Sequence, residues 1–335
     1  MIIITDCLTK HPDEGCLNVA NSLIKRIKRK YPDTTVISFS DRTSDLSDVH
    51  MNLNKFFLNK ELFKFIKEKQ EPVFFIPFSS NTKGNVIRTL TLSLFSSYKV
   101  KVLFAMKQNM NILLRTILKI ANPKIYTLSK ESYSYFNDLG YKDAIHLTTG
   151  VDIQKFVPVS KERKQELRNK YGIADKSNIA LHVGHLKEGR NIQQFLKLPK
   201  DIKGYIIISE AFEQDQKLRN QLEDHGVTII DKYISNIEEI YQLSDFYFFP
   251  VQEESNCIDT PLSVLEAASC NLPVLTTDYG ELKAFINKEG FFFIDEFNED
   301  ILKTKVDEIL ALEEVKTRLV IEKYDWSLSV EQIME

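Results

Sequence analysis

The sequence predicts an α/β protein of two doubly wound parallel-sheet domains, and three observations carry that prediction. Short, nearly continuous apolar runs alternate with helical stretches through both halves of the chain, the pattern of parallel strands covered on both faces. The length of 335 residues suffices for two cores of ordinary size. A hydrophobic content of 43% beside 27% charged residues is that of a soluble globular protein.

In the first series, strands are expected over residues 2–5, 35–39, 73–78, 101–105, 124–128 and 144–147. Helices are expected near 18–30, 60–69, 86–96, 112–121 and 131–139. The second series places strands at 179–183, 205–209, 227–230, 246–249, 273–276 and 291–294. The join falls within residues 149–159, TGVDIQKFVPV, ahead of a basic helix at 161–170. A last helix starts around Asp325, Trp326 and Ser327. This organisation gives one domain over 1–152, a second over 153–320, and a terminal helix within 321–335 that crosses back to the first domain. Doubly wound sheets bind ligands at strand carboxyl ends, so the ligand is expected in a cleft across which the two domains face each other.

Bulk features exclude several classes. The opening MIIITD reads as a strand and not as a secretory leader. No run approaches eighteen uncharged apolar residues, which argues against a membrane-spanning helix. Cys7, Cys16, Cys257 and Cys270 show neither metal-site spacing nor small-scaffold density, and read as reduced thiols of a cytosolic protein. Net charge is -3, yet residues 1–150 hold 22 Lys+Arg against 13 Asp+Glu, and the remainder holds 22 against 34. Either the first half meets something anionic, or the charges are solvated helix faces. The helices at 21–30 and 112–119 carry Leu and Ile beside Lys and Arg. They read as a face for anionic lipid or as ordinary covers of a sheet.

The most informative segment is residues 257–280, CIDTPLSVLEAASCNLPVLTTDYG. Thr260 and Pro261 read as an N-cap followed by proline at the first helical position. Leu262, Leu265 and Ala268 then form an apolar face, and Glu266 sits one turn beyond Leu262. A strand over 272–277 is broken at Asp278, Tyr279 and Gly280. A helix N-terminus with orphan N–H groups accepts anions, and a carboxylate just behind it holds sugar hydroxyls. That pairing suits a nucleotide diphosphate.

These residues resemble the retaining nucleotide-sugar glycosyltransferases of the GT-B fold, the group often called group 1 or family 4. Gly150, Val151 and Asp152 with Phe156 and Pro158 look like the interdomain segment of that family. Val183, Gly184, His185 and Leu186 through Arg190 and Asn191 look like the loop that receives the donor phosphates. Phe248 to Pro250, Leu262 to Pro273 and Thr277 to Gly280 look like the donor-site core, and Trp326 sits where the final helix begins. The likeness is continuous over the C-terminal half and rests on order and spacing in the N-terminal half. It implies two Rossmann-like domains, transfer with retention of anomeric configuration, and neither a metal nor another cofactor. It further implies a nucleotide-sugar donor, a glycan or lipid-linked acceptor and no nucleic acid, at the inner face of the membrane.

Several positions depart from the pattern. Of two glutamates eight positions apart, the second is Glu266, while the first position holds Ile258 beside Asp259. The arginine after the loop glycine is His185, and the following basic position is kept as Arg190. Ser269 stands by the second alanine, the N-terminal glycine pair is Gly15 and Cys16, and Phe104, Ala105, Met106 and Lys107 occupy the region of the usual histidine.

The resemblance makes Arg190 the clamp on the departing diphosphate, since a guanidinium matches phosphate oxygens bidentately. Glu266 would accept ribose hydroxyls, because an ionised carboxylate only accepts. Asp259 either contacts the transferred sugar, as a catalytic group, or caps the following helix. His185 has a phosphate reading and a packing reading, and Lys187 is a fallback cation. Backbone N–H groups of Leu262 and Ser263, after Thr260, would meet phosphate. Tyr233 and Ile234 correspond to the base-binding edge, and Gly15 to a loop on the acceptor side or a plain turn. A binding-only relative acting as a partner subunit is the competing reading. A dehydrogenase would need a Gly-x-Gly-x-x-Gly loop, and a periplasmic sugar-binding protein would need a leader; neither is present.

Overall fold

The computed structural model describes residues 1–12, 14–39, 44–78, 80–173, 177–208, 214–253 and 257–335. The chain divides into two compact units, Met1–Thr149 together with Trp326–Glu335, and Gly150–Asp325.

The first unit holds β1 (Ile2–Thr5), β2 (Thr35–Ser38), β3 (Val49–His50), β4 (Val73–Ile76), β5 (Lys101–Phe104), β6 (Lys124–Thr127) and β7 (Ile145–His146). They form one parallel sheet in the order β3-β2-β1-β4-β5-β6-β7. β1 lies centrally, pairing Ile2 with Thr35 on one side and Val73 on the other, and all four of its residues are buried. Its β-branched side chains suit a strand covered on both faces. The chain winds outward from β1 through β3 and then resumes on the other side at β4. The switch point therefore lies between β1 and β4. β3 went unread from sequence; with two paired residues it has no apolar run to signal it.

The covering helices are α1 (Gly15–Lys30), α2 (Lys60–Lys69), α3 (Lys83–Phe95), α4 (Ile112–Ala121) and α5 (Lys130–Asp138). α1 begins three residues before the expected start because the Glu14 carboxylate accepts the N–H groups of Cys16 and Leu17, at 2.8 and 3.2 Å. Gly15 is therefore the first residue of a capped helix and not part of an open loop, which corrects its expected placement. Leu23, Ile24 and Ile27 of α1 are fully buried. The apolar face of that helix belongs to the core and is not a lipid-facing surface. α4 keeps its outer apolar residues exposed.

The second unit holds β8 (Asn178–Val183), β9 (Ile202–Ile207), β10 (Thr228–Ile230), β11 (Phe246–Phe249), β12 (Val274–Thr276) and β13 (Phe291–Phe293), all parallel, in the order β10-β9-β8-β11-β12-β13. β9 starts three residues earlier than expected; Ser209, its expected end, lies outside the described residues. The helices are α6 (Lys161–Lys170), α7 (Gln216–Asp224), α8 (Ile237–Leu243), α9 (Leu262–Ser269), α10 (Glu299–Leu310) and α11 (Thr317–Ile321). The switch point here lies between β8 and β11.

Ser269 explains one departure from the family pattern. Its hydroxyl donates to the Phe156 carbonyl at 2.6 Å, and Arg318 reaches the same carbonyl and that of Ser269, each at 2.8 Å. A serine at the end of α9 thus fastens the segment that enters this unit. The last helix, α12 (Trp326–Met334), belongs to the first unit. It is held there by Ser329 donating to Thr148 at 2.6 Å, by a Lys30–Glu331 ion pair at 2.8 Å and by the buried Trp326 ring.

Candidate functional site

The carboxyl ends of β8 and β11 face the switch point of the second sheet, where an open α/β sheet binds its ligand. After β8 the chain runs through Gly184 into a buried anchor, Leu186, and a single 3₁₀ turn at Glu188–Arg190. Asn191 follows in the left-handed region with φ 59, and its Nδ2 donates to the Pro250 carbonyl at 3.1 Å. Its Oδ1 accepts from Gln193 and Gln194, each at 2.9 Å. Asn191 therefore ties the loop after β8 to the loop after β11, and Arg190 is the residue that this tie fixes.

Arg190 is 7% exposed and its Nε has no partner. No carboxylate pairs with it among the described residues. A buried, uncompensated guanidinium is costly, so its surroundings call for an anion. The groups around it add positive charge. Lys187 is held below its usual range by burial first and by the Arg190 charge second. Arg190 also acts on the Tyr279 phenol, and His185 with Arg190 acts on a neighbouring imidazole. Gly184, His185, Lys187 and Arg190 thus come together on one loop.

That imidazole, His182, escaped sequence reasoning. It lies on β8, fully buried and stacked with the Tyr247 and Phe249 rings at centroid distances of 6.1 and 6.0 Å. Its Nδ1 lies 3.0 Å from the Phe248 carbonyl, which can only accept; Nδ1 therefore carries the proton and Nε2 is a bare acceptor. Nε2 has no partner. Gly184 makes room for both groups. A Cβ there would lie 2.8 Å from Arg190 Nη1 and 2.9 Å from His182 Nε2.

Burial pushes His182 down to about 3, far below the ordinary imidazole value. The unfolded chain then takes up this proton before the native protein does as pH falls. The stability that neutral His182 supplies is complete above the unfolded pKa of about 6.5 and is lost progressively below it, by somewhat over 1 kcal/mol per pH unit. Urea unfolding at several pH values between neutrality and 4 should show this slope, and His182→Phe should flatten it. An unchanged slope in the variant would assign the acid sensitivity to other groups.

The second half of the site is the start of α9. The helix begins at Leu262 and not at Pro261, because Pro261 has ψ 118, outside the helical region. Pro261 is therefore the N-cap residue, and the expected Thr260 cap is absent; Thr260 is buried at 5% exposure. The N–H of Leu265 turns back to the Pro261 carbonyl at 3.4 Å. Glu266 accepts from the buried Tyr241 hydroxyl at 2.7 Å. Burial raises its carboxyl above the usual value, and the Tyr241 hydrogen bond and the Lys155 charge pull it back. Glu266 as a residue is half-buried. Tyr247 links the two halves, since its Oη accepts the Val183 N–H at 3.2 Å and its phenol responds to the Glu266 charge.

The segment before α9 is fixed by the chain after β12. Gly280 has φ 51, and a Cβ there would run into the Asp259 carbonyl, which accepts the Glu281 N–H at 2.8 Å. The Tyr279 hydroxyl donates to the Cys257 carbonyl at 2.7 Å. Asp259 is half-buried, and its neighbour Ile258 is buried at 6% exposure. Tyr233 is exposed at 37% and Ile234 packs partly on the core, both in the segment after β10. Gly15 lies in the other unit.

Comparison with known proteins matches residues 163–326 to the family model described as Glycosyl transferases group 1. The alpha-galactosylglucosyldiacylglycerol synthase of Streptococcus pneumoniae is 24% identical over 147 residues, 41% of this chain; the match spans only 38% of that protein's length. Among solved structures, a glycosyltransferase from Rickettsia africae aligns with TM-score 0.79 at 15% identity, over 99% of this chain and 96% of that one. HepE of Anabaena in complex with UDP-glucose aligns with TM-score 0.74 at 14% identity, over 99% and 98%. The chain thus has the GT-B fold of two Rossmann-like domains, and residues 163–326 within it are similar to the glycosyl transferases group 1 family.

Proposed function

We propose that the protein transfers a sugar from a nucleotide-sugar donor to a glycan or lipid-linked acceptor, with net retention of anomeric configuration. The observation that supports this reading most directly is the buried guanidinium of Arg190, which lacks an anion in a loop that also bears His185 and Lys187. In the transfer, the bond between the anomeric carbon and the diphosphate oxygen breaks with its electron pair staying on that oxygen, the acceptor oxygen forms the new bond to the anomeric carbon, and the acceptor's proton passes to the departing diphosphate. Arg190, Lys187, His185 and the N–H groups of Leu262 and Ser263 meet the charge that develops on the diphosphate. These groups supply the neutralisation without calling on a metal. Glu266 accepts the ribose hydroxyls, Tyr233 and Ile234 bound the base, and Asp259 contacts the transferred sugar. Gly15 stays on the acceptor side as the residue that opens α1.

Two relatives suggest the chemistry to test first. HepE carries UDP-glucose in its structure, and the pneumococcal relative is by name a synthase of a glycosylated diacylglycerol. A UDP-hexose and a glycolipid acceptor follow, with the enzyme working on the cytoplasmic side of a membrane. The competing reading, a binding-only partner subunit, draws on Ile258 occupying the position of a carboxylate.

The experiment is a thermal-shift screen over UDP-, GDP- and ADP-sugars, paired with assays of donor hydrolysis and transfer. A cognate donor at about a hundred times its Kd should add about 2.7 kcal/mol to native stability. Glu266→Ala should lose that shift. Stabilisation without turnover of any donor would replace the transferase reading with the binding-only one, and no shift at all would remove both.

A further inference from the structure

We propose that His182 is a positioning residue of the diphosphate site: when a diphosphate binds, the bare Nε2 accepts a hydrogen bond from the Arg190 guanidinium and holds it against phosphate. The role rests on the reading of Arg190 as the diphosphate clamp and deepens it.

Two complementary orphans meet beside Gly184. His182 Nε2 is a fully buried acceptor without a donor among the described residues, and Arg190 only donates and carries an unpartnered Nε. Both side chains border one point, since a Cβ on Gly184 would lie 2.9 Å from His182 Nε2 and 2.8 Å from Arg190 Nη1. A buried acceptor without a donor costs free energy, and a hydrogen bond from the neighbouring cation removes that cost. A phosphate gripped bidentately fixes the plane of the guanidinium and leaves its remaining N–H groups for Nε2.

The imidazole is held too firmly to turn toward another partner. Nδ1 is engaged with the Phe248 carbonyl at 3.0 Å. Tyr247 and Phe249 stack on the ring with interplanar angles of 15° and 22°, and Phe195 meets it edge-on at 77°. The partner that moves is therefore Arg190, a long side chain on the single turn Glu188–Arg190. Charge favours the same pairing. Arg190 and His185 face the ring from the loop after β8, and the Tyr247 phenol faces it from β11. Burial first, and then the Arg190 and His185 charges, hold the imidazole neutral, so Nε2 stays an acceptor. An imidazolium would set a second cation against Arg190, and a phenylalanine would fill the space without accepting anything.

The test is calorimetric titration of the full chain with inorganic pyrophosphate, UDP, GDP and ADP, together with long-range proton–nitrogen spectra of its histidines. The His182 Nε2 resonance should sit at the bare-acceptor position in the free protein and move toward hydrogen-bonded values when a diphosphate binds. His182→Phe should weaken the tightest of these ligands about tenfold, the scale of one hydrogen bond to a charged group. His182→Gln, whose side-chain oxygen accepts in place of Nε2, should recover most of that loss. In an Arg190→Met background, His182→Phe should have no further effect on affinity, because the two residues act as one unit. A purely structural histidine would instead lower stability in urea, with neither recovery by glutamine nor dependence on Arg190. An Nε2 resonance unmoved by a bound diphosphate would overturn the proposal, and so would a parent chain that binds none of these ligands. The spectra use the unaltered chain, so they decide the matter where a variant fails to fold. A moved resonance without turnover of any donor sugar would remove the transferase reading and leave the role of His182 standing.

Discussion

Arg190→Met is expected to stabilise the free protein while removing donor turnover. Arg190 is 7% exposed, its Nε is unpartnered, and no carboxylate pairs with it among the described residues. In the absence of ligand that charge is a cost, and methionine keeps most of the volume without it; a gain of about 1 kcal/mol in unfolding free energy is expected. On the proposed transferase reading the bound state is expected to behave in the opposite way. Loss of a preorganised cation facing developing phosphate charge should lower kcat/KM by about a hundred- to a thousandfold, equivalent to roughly 2.7–4 kcal/mol. Arg190→Lys should fall between, since an ammonium keeps the charge and loses the planar fork. Urea unfolding without ligand and steady-state kinetics with the cognate donor check both arms. A variant destabilised by several kcal/mol with intact kcat/KM would make Arg190 a structural residue.

The two sheets were legible in the sequence because buried parallel strands need continuous apolar runs, and VFFI at β4 and FYFF at β11 supply them. β3 was not legible, since its pairing rests on two backbone positions. The start of α9 was misread by one residue: a proline φ of -62 suits both the N-cap and the first helical position, and only ψ decides. α1 and α4 carry comparable amphipathic patterns. They differ in what packs on them, because α12 returns to α1 from the far end of the chain and leaves α4 open. His182 was invisible for another reason. A histidine inside a buried strand reads as a satisfied core residue, and only the folded position of Gly184 reveals the bare Nε2 beside Arg190.

Gly184→Ala should weaken donor binding strongly while leaving the fold in place, and His182 should decide how strongly. The added Cβ would lie 2.8 Å from Arg190 Nη1 and 2.9 Å from His182 Nε2, closer than real Cβ contacts occur. The two neighbours cannot yield equally. Arg190 meets the methyl group with the far end of a flexible side chain, whereas the His182 ring is fully buried and anchored through Nδ1 to the Phe248 carbonyl at 3.0 Å. The guanidinium therefore moves out of the position it holds beside Gly184. Donor affinity should fall by about one to two orders of magnitude, the range for a charge-assisted hydrogen bond lost to displacement. The fold should lose about 1–3 kcal/mol, as expected of overpacking. Combining Gly184→Ala with His182→Ala empties the space behind the new methyl group and lets Arg190 return. The double-mutant cycle should thus show the two changes compensating by more than about 0.5 kcal/mol in donor binding, as residues in contact do. Additive losses would mean that the methyl group and the imidazole do not compete for one space, and that Gly184 serves the loop's backbone alone.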